Sequence, residues 1–370
     1  MRAFWSLAGV VALVVAVIYG AAVGLTFLIA PSHGFDTDVT TRDQKLWGSP
    51  QRYAVLNQGH FAADVDRVII LGASNAREGL RPTVIDDALP GCTVDDLGLS
   101  GATMNINEVA DSVQLVEDAR PAGRRGRTIY VLGAIYTDFA DDVPGTDNPT
   151  ETEMLRYTYD REPDGGLQPR LPPSVVPAVA ALARPVEFAR AAPVAIAQTL
   201  LTPQLKSKVK GLLGRDKAPG AVVGFETFIA GQSDLDAVVL TDALRAELIG
   251  QRLSAAGGDR PLSPRQFRAL DGLIERVTAA GDAFVIVDLP LPAWHTAGLP
   301  VRQASYRAQM AALVARHRDD PRVGYLDLTA MDDAGTFYDS AHAKPRTRVV
   351  WSRRLGDYLR AFVQRSAHAG

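Results

Sequence analysis

Short apolar runs recur along the chain at spacings that leave room for a helix between them. Val68–Leu71, Val94–Leu97, Thr128–Leu132, Ala283–Leu289 and Arg322–Leu328 each have the length of a buried strand. The first stops at Gly72, the second at Gly98-Leu99-Ser100-Gly101 and the third at Gly133. Between them the apolar period changes to that of a helix. Residues 103–119 place Ile106, Val109, Val113 and Val116 on one face. Ser263–Ala279 is amphipathic, with Ser263 as N-cap and Pro264 at the first position. Shorter helices are predicted over 51–63 and Pro82–Leu89, and longer ones over Arg302–His317 and 345–365, the last starting at Pro345. Alternating strands and helices predict an α/β fold with a doubly wound, mostly parallel sheet.

The alternation is interrupted once. Residues 137–172 are acidic and rich in Pro, Gly and Thr without a period, and 173–213 carry prolines at 173, 177, 185, 193 and 203, which permit only short helices. One or two further helices are predicted over 226–256. The expected organisation has five parts. Residues 1–32 form a transmembrane anchor and 33–66 a linker and lead-in. Residues 67–136 form the first part of the core, 137–260 a mainly helical cap inserted beside the carboxyl edge of the sheet, and 261–370 the second part of the core.

The anchor rests on a run from residue 3 to residue 35 without Asp, Glu, Lys or Arg. Its densest part, residues 4–30, is long enough for a bilayer, which needs about 20 apolar residues, whereas the apolar region of a cleaved signal peptide is about 7–15. Small residues at 20–24 keep cleavage open as the alternative. Arg2 on one side and Asp36 and Asp38 on the other orient the N-terminus to the cytoplasm and the remainder to the periplasm. The expected location is thus a single-pass inner-membrane protein, with the lipid bilayer as one partner.

Composition changes this picture little. Hydrophobic residues make up 47% and charged residues 22%, and the net charge of −3 gives no nucleic-acid footprint. The one basic run, Arg124-Arg125-Gly126-Arg127, reads as a solvated loop. A single cysteine, Cys92, excludes an intrachain disulfide. Gly72 and Gly79 lack the Gly-Lys-Ser/Thr of a phosphate loop, so nucleotide binding is discarded and no cofactor is expected.

Two places carry candidate chemistry. Ser74 follows the first strand, where a turn exposes its oxygen and a helix aims N–H groups at it. It reads either as a nucleophile or as a helix N-cap. Asp339 and His342 lie between the last strand and the last helix. Their spacing lets the carboxylate hold one ring nitrogen and leaves the other to take a proton from a serine. The alternative is an Asp that caps the final helix beside a surface His.

The order Gly-x-Ser after strand one, Gly-x-x-Gly after strand two, Gly after strand three and Asp-x-x-His before the last helix resembles the SGNH/GDSL hydrolase superfamily, over about 67–136 and 262–365. The resemblance implies a three-layer, flavodoxin-like SGNH fold. It implies Ser74 as nucleophile, His342 and Asp339 as its partners, and the N–H groups of Ser74 and Gly101 as oxyanion donors. The Asn that the family carries in its third block is absent from Gly133-Ala134-Ile135-Tyr136. Asn75, ranked first, Asn105 and Tyr136 are the substitutes considered. The first block, Gly-Ala-Ser-Asn, with the anchor, looks more like the membrane-anchored branch that includes D-alanyl transfer proteins and exopolysaccharide acetylation accessories. The implied partners are an acylated polysaccharide and a membrane O-acyltransferase or polysaccharide synthase complex. The expected activity is an esterase or O-acyltransferase on acyl, chiefly acetyl, esters. A non-catalytic assembly role is the alternative.

Other residues were weighed against plainer roles. Trp294 and His295 read as groove residues contacting substrate, Trp294 either stacking on sugar or packing. A metal site of Asp288, His295, Asp339 and His342 is disfavoured by the lack of any compact histidine pair, and no metal is expected. Arg77 and Glu78 read as a solvated helix face.

Overall fold

A computed structural model of the chain describes residues 9–21, 50–99, 105–121, 123, 124, 126–140, 159–161, 167–170, 175, 178, 225 and 234–368. The strands are β1 (Asp66–Gly72), β2 (Cys92–Asp96), β3 (Thr128–Ala134), β4 (Tyr159–Arg161), β5 (Leu167–Pro169), β6 (Ala283–Asp288) and β7 (Val323–Asp327). The helices are α1 (Pro50–Leu56), α2 (Gln58–Phe61), α3 (Ser74–Gly79), α4 (Pro82–Asp86), α5 (Ile106–Ala119), α6 (Asp242–Ala256), α7 (Arg265–Ala279), α8 (Pro300–Arg316) and α9 (Pro345–His368).

The central sheet has the order β2-β1-β3-β6-β7, with every neighbouring pair parallel. The apolar alternation of the strands sorts its side chains onto two faces. Ile69, Leu71, Tyr130, Leu132, Phe284 and Ile286 pack with α1, α2, α5, α7 and α8. Val68, Ile70, Ile129, Val131, Val285 and Val287 pack with α3, α4 and α9, around the fully buried Trp351. Helices on both faces make this a doubly wound α/β fold, as the alternation of elements predicts. The strand order reverses between β1 and β3, and folds of this kind open a crevice outside the carboxyl ends of the strands at such a switch point. The residues of interest follow those ends.

Element boundaries differ from expectation in instructive places. Pro264 is the N-cap of α7 rather than its first residue, while the Ser263 hydroxyl accepts from the Arg265 N–H at 3.1 Å. The stretch between β3 and β6 is not helical throughout. β4 and β5 form a small antiparallel hairpin that the sequence reading missed. Strands of three residues are too short to display a period. Their burial comes from outside, through Tyr159 and Leu167 set against the core and the Gln114 amide donating to the Leu167 carbonyl at 2.5 Å. Of the expected anchor, residues 9–21 are helical and expose Val10, Val11, Leu13, Val14, Val15, Val17 and Ile18. Among the described residues no helix is long and apolar enough to cross a membrane; the rest of the 4–30 run lies outside them.

Candidate active site

Ser74 stands at a corner built from small residues. Gly72 ends β1 with φ +131°, a conformation only glycine adopts comfortably, and it pairs in register with Gly133 of β3. A Cβ on Gly72 would overlap the Gly133 carbonyl and lie 2.6 Å from the Ala76 Cβ; one on Gly133 would meet the same Ala76 Cβ at 2.6 Å. Helix α3 therefore rests directly on the strand ends. Ala73 is its N-cap, in extended conformation, and the N–H groups of Ala76 and Arg77 donate to the Ala73 carbonyl at 3.0 and 3.1 Å. Ser74 is thus the first residue of α3 and not its cap, so its hydroxyl is left for another partner.

That partner arrives from the far end of the chain. His342 Nε2 lies 2.8 Å from Ser74 Oγ, and His342 Nδ1 lies 2.6 Å from Asp339 Oδ2. The other Asp339 oxygen accepts from the backbone N–H groups of Ala341 at 2.8 Å and His342 at 2.6 Å. Phe337 and Ala343 bridge as antiparallel partners across the base of the turn, and the Tyr338 N–H donates to the His342 carbonyl at 3.1 Å. With its carboxylate on Nδ1, the imidazole presents Nε2 to the hydroxyl as an acceptor. Burial alone would lower the His342 pKa. The hydrogen bond and charge of Asp339, with the charge of Glu78, outweigh burial and leave the ring above its ordinary value.

Two outward carbonyls of the same turn are also held. Asn75 Nδ2 donates to the Ala341 carbonyl at 2.7 Å, and His295 Nδ1 bonds the Ser340 carbonyl. Tyr136 O–H completes a chain to His295 Nε2 at 3.1 Å. His295 is buried, and burial together with the Arg252 charge pushes its pKa down to about 3. A neutral ring that donates through Nδ1 and accepts at Nε2 satisfies both neighbours. Burial pushes the Tyr136 hydroxyl up to about 12, so it remains a donor.

These contacts reassign several residues that the sequence singled out. The Asn75 amide ties α3 to the turn instead of being held for an oxyanion. Tyr136 and His295 form a buried strut against the turn, and of the two only Tyr136 also lines a cleft. Asn105 is the N-cap of α5, in a reciprocal capping box with Glu108. Trp294 is half-buried against the cluster of Phe225, Val238, Leu240, Leu244, Leu248 and Tyr338, the packing role rather than the platform. Gly101 lies outside the described residues; the chain towards it leaves with the Leu99 N–H donating to the Gly72 carbonyl at 2.7 Å. Asp288 is engaged by the hydroxyls of Tyr306 at 2.9 Å and Tyr325 at 3.0 Å. Among the described residues no group of three or more His, Cys, Asp or Glu side chains is arranged to hold a metal ion.

Three residues escaped the sequence reading. Glu78, expected in solvent, accepts from the Tyr338 hydroxyl at 2.7 Å and from Arg348 Nη2 at 3.1 Å. The one available signal was spacing, since Glu78 is one helical turn beyond Ser74 and Tyr338 adjoins Asp339. A cleft of about 640 Å³ opens at the carboxyl ends of β6 and β7, with Tyr136, Asp288, Tyr306 and Tyr325 in its wall; Tyr136 connects it through His295 to the turn, and Ser74, Asp339 and His342 are not in its lining. No family model and no curated protein matches the chain.

Proposed function

We propose that this protein is a serine acyl-transfer enzyme of the SGNH type, an esterase or O-acyltransferase acting on acyl, chiefly acetyl, esters of a cell-surface or secreted polysaccharide. The observation that carries the reading is the continuous line from Asp339 through His342 to Ser74, with bonds of 2.6 and 2.8 Å. His342 takes the Ser74 proton as Oγ attacks the ester carbonyl, and Asp339 stabilises the imidazolium that forms. The imidazolium then protonates the departing alcohol. The acyl group passes from Ser74 to water or to a sugar hydroxyl, whose proton His342 takes and hands to the departing Ser74 oxygen.

Oxyanion binding draws on the Ser74 N–H, at the first position of α3, where backbone donors have no intrahelical partner. The Gly101 N–H is the second donor by resemblance. The neighbouring cleft offers room for sugar residues. Residues 4–30 anchor the chain in the inner membrane and put the enzyme domain in the periplasm. The uncharged run and the exposed apolar side chains of residues 10–18 support that placement.

A non-catalytic role in polysaccharide binding or assembly, docked on a membrane O-acyltransferase, is the second reading. It is favoured by the third block, where Ala134 and Ile135 are buried and apolar and Tyr136 is occupied with His295. The full-length protein in detergent, offered p-nitrophenyl acetate, separates the two. The enzyme reading expects turnover that Ser74→Ala lowers by about 10⁴-fold or more. Equal rates in both proteins would overturn it.

A further inference from the structure

Ser74 and Glu78 are four residues apart on α3 and share a helix face. Glu78 Oε2 receives the Tyr338 hydroxyl at 2.7 Å and Arg348 Nη2 at 3.1 Å. Arg348 is itself fixed, its Nε donating to the Ala343 carbonyl at 2.8 Å, and its Cζ lies 5.7 Å from the centre of the Tyr338 ring. The Tyr338 ring stacks on the His342 ring, with centres 5.8 Å apart and planes 15° apart. One carboxylate thus joins the helix of the serine, the turn of the imidazole and the first turns of α9.

We propose that Glu78 is a positioning residue for the Ser74–His342 pair: through Tyr338 and Arg348 it locks the plane of the His342 ring and sets the charge that faces it. The inference rests on the serine acyl-transfer reading for its consequence, though not for its geometry. Rotating the imidazole would break both the Asp339 and the Ser74 bonds at once, and a stacked phenol anchored by its hydroxyl bars that rotation. The charged groups facing the ring are Asp339 on its own turn, Glu78 on α3 and Arg348 on α9. Tyr338 stays neutral, because burial, Asp339 and Glu78 all push its hydroxyl above the ordinary value. Glu78 therefore offsets Arg348 at the place where the imidazolium develops.

The two charges make opposite predictions. Glu78→Gln keeps an acceptor for Tyr338 but leaves Arg348 unopposed, so the His342 titration, followed by NMR and assigned with His342→Gln, falls by about half a pH unit. The acid limb of kcat/KM for p-nitrophenyl acetate moves down with it. Arg348→Gln moves both upward. Tyr338→Phe keeps the stacked ring and cuts the tie, lowering kcat by about 10-fold with KM unchanged. Titrations of Glu78→Gln and Arg348→Gln that superimpose on the wild type would overturn the proposal. If wild type and Ser74→Ala are equally inert on the ester, the acyl-transfer reading fails, and the imidazole titration still decides the clamp.

Discussion

The two edges of the sheet treat buried acids differently. At the amino edge Asp282, just before β6, meets arginine: it binds Arg120 at 2.7 Å and Arg124 at 2.6 Å and accepts from the Thr128 N–H at 2.9 Å. At the carboxyl edge the partners are backbone N–H groups and phenols. Asp138 accepts from the Ile135 N–H at 2.9 Å, and burial pushes its pKa up to about 8. Asp288 rests on two tyrosines, and burial pushes it up to about 6. Asp96 accepts from the Gly98 N–H, and burial pushes it up to about 8. The amino edge is joined there by ion pairs. The other keeps acids whose protonation is set by surroundings, and it is the edge that gathers Ser74, Asp339 and His342.

The contrast is broken most forcefully at the active turn. Asp339→Asn keeps the side-chain shape but no longer fixes the tautomer of His342. A loss of about 10⁴-fold in kcat with little change in melting temperature is expected from paired kinetics and calorimetry. The mirror experiment is Arg120→Met, which takes from a buried carboxylate the more deeply buried of its two cations. A stability loss of about 3–5 kcal/mol in denaturant unfolding, with kcat intact in the remaining folded enzyme, is the expected outcome. Loss of rate in the second variant or of stability in the first would erase the division of labour between edges.

Two smaller effects sharpen it. Asp138 has a folded pKa raised far above its unfolded value near 3.8, so its stability contribution is present below that value and is lost as pH rises through about 8. Asp138→Asn should match the wild type near pH 4 and melt progressively above it up to about pH 8, by about 2–4 °C per kcal/mol relieved. His295 has the opposite sign. Its folded pKa of about 3 lies below the unfolded 6.5, so its contribution is present above pH 6.5 and is lost as pH falls towards 3. His295→Gln should flatten the fall in melting temperature between pH 6.5 and 4, by at most one proton's worth of slope.

The sheet was legible because its strands are apolar runs, three of them closed by glycine, and Pro82 and Pro345 mark helix starts without help from tertiary contacts; the start of α8 at Pro300 lies two residues before the Arg302 expected. Ser74, Asp339 and His342 were legible by their order relative to those strands. What escaped was direction. Asn75 adjoins Ser74 in sequence, yet its amide points to Ala341, 266 residues away. His295 reads as a groove residue in sequence because nothing in Leu-Pro-Ala-Trp-His says that the loop turns inward. The hairpin β4–β5 escaped because its order comes from Gln114 and the core and not from its own six residues.

The hydrogen bond between Ser74 and His342 spans 268 positions of the chain. During synthesis, β1 and α3 emerge long before the turn that carries His342. A chain made only as far as β7 therefore holds every strand of the central sheet and still lacks the partner of the Ser74 hydroxyl, which comes with the turn before α9.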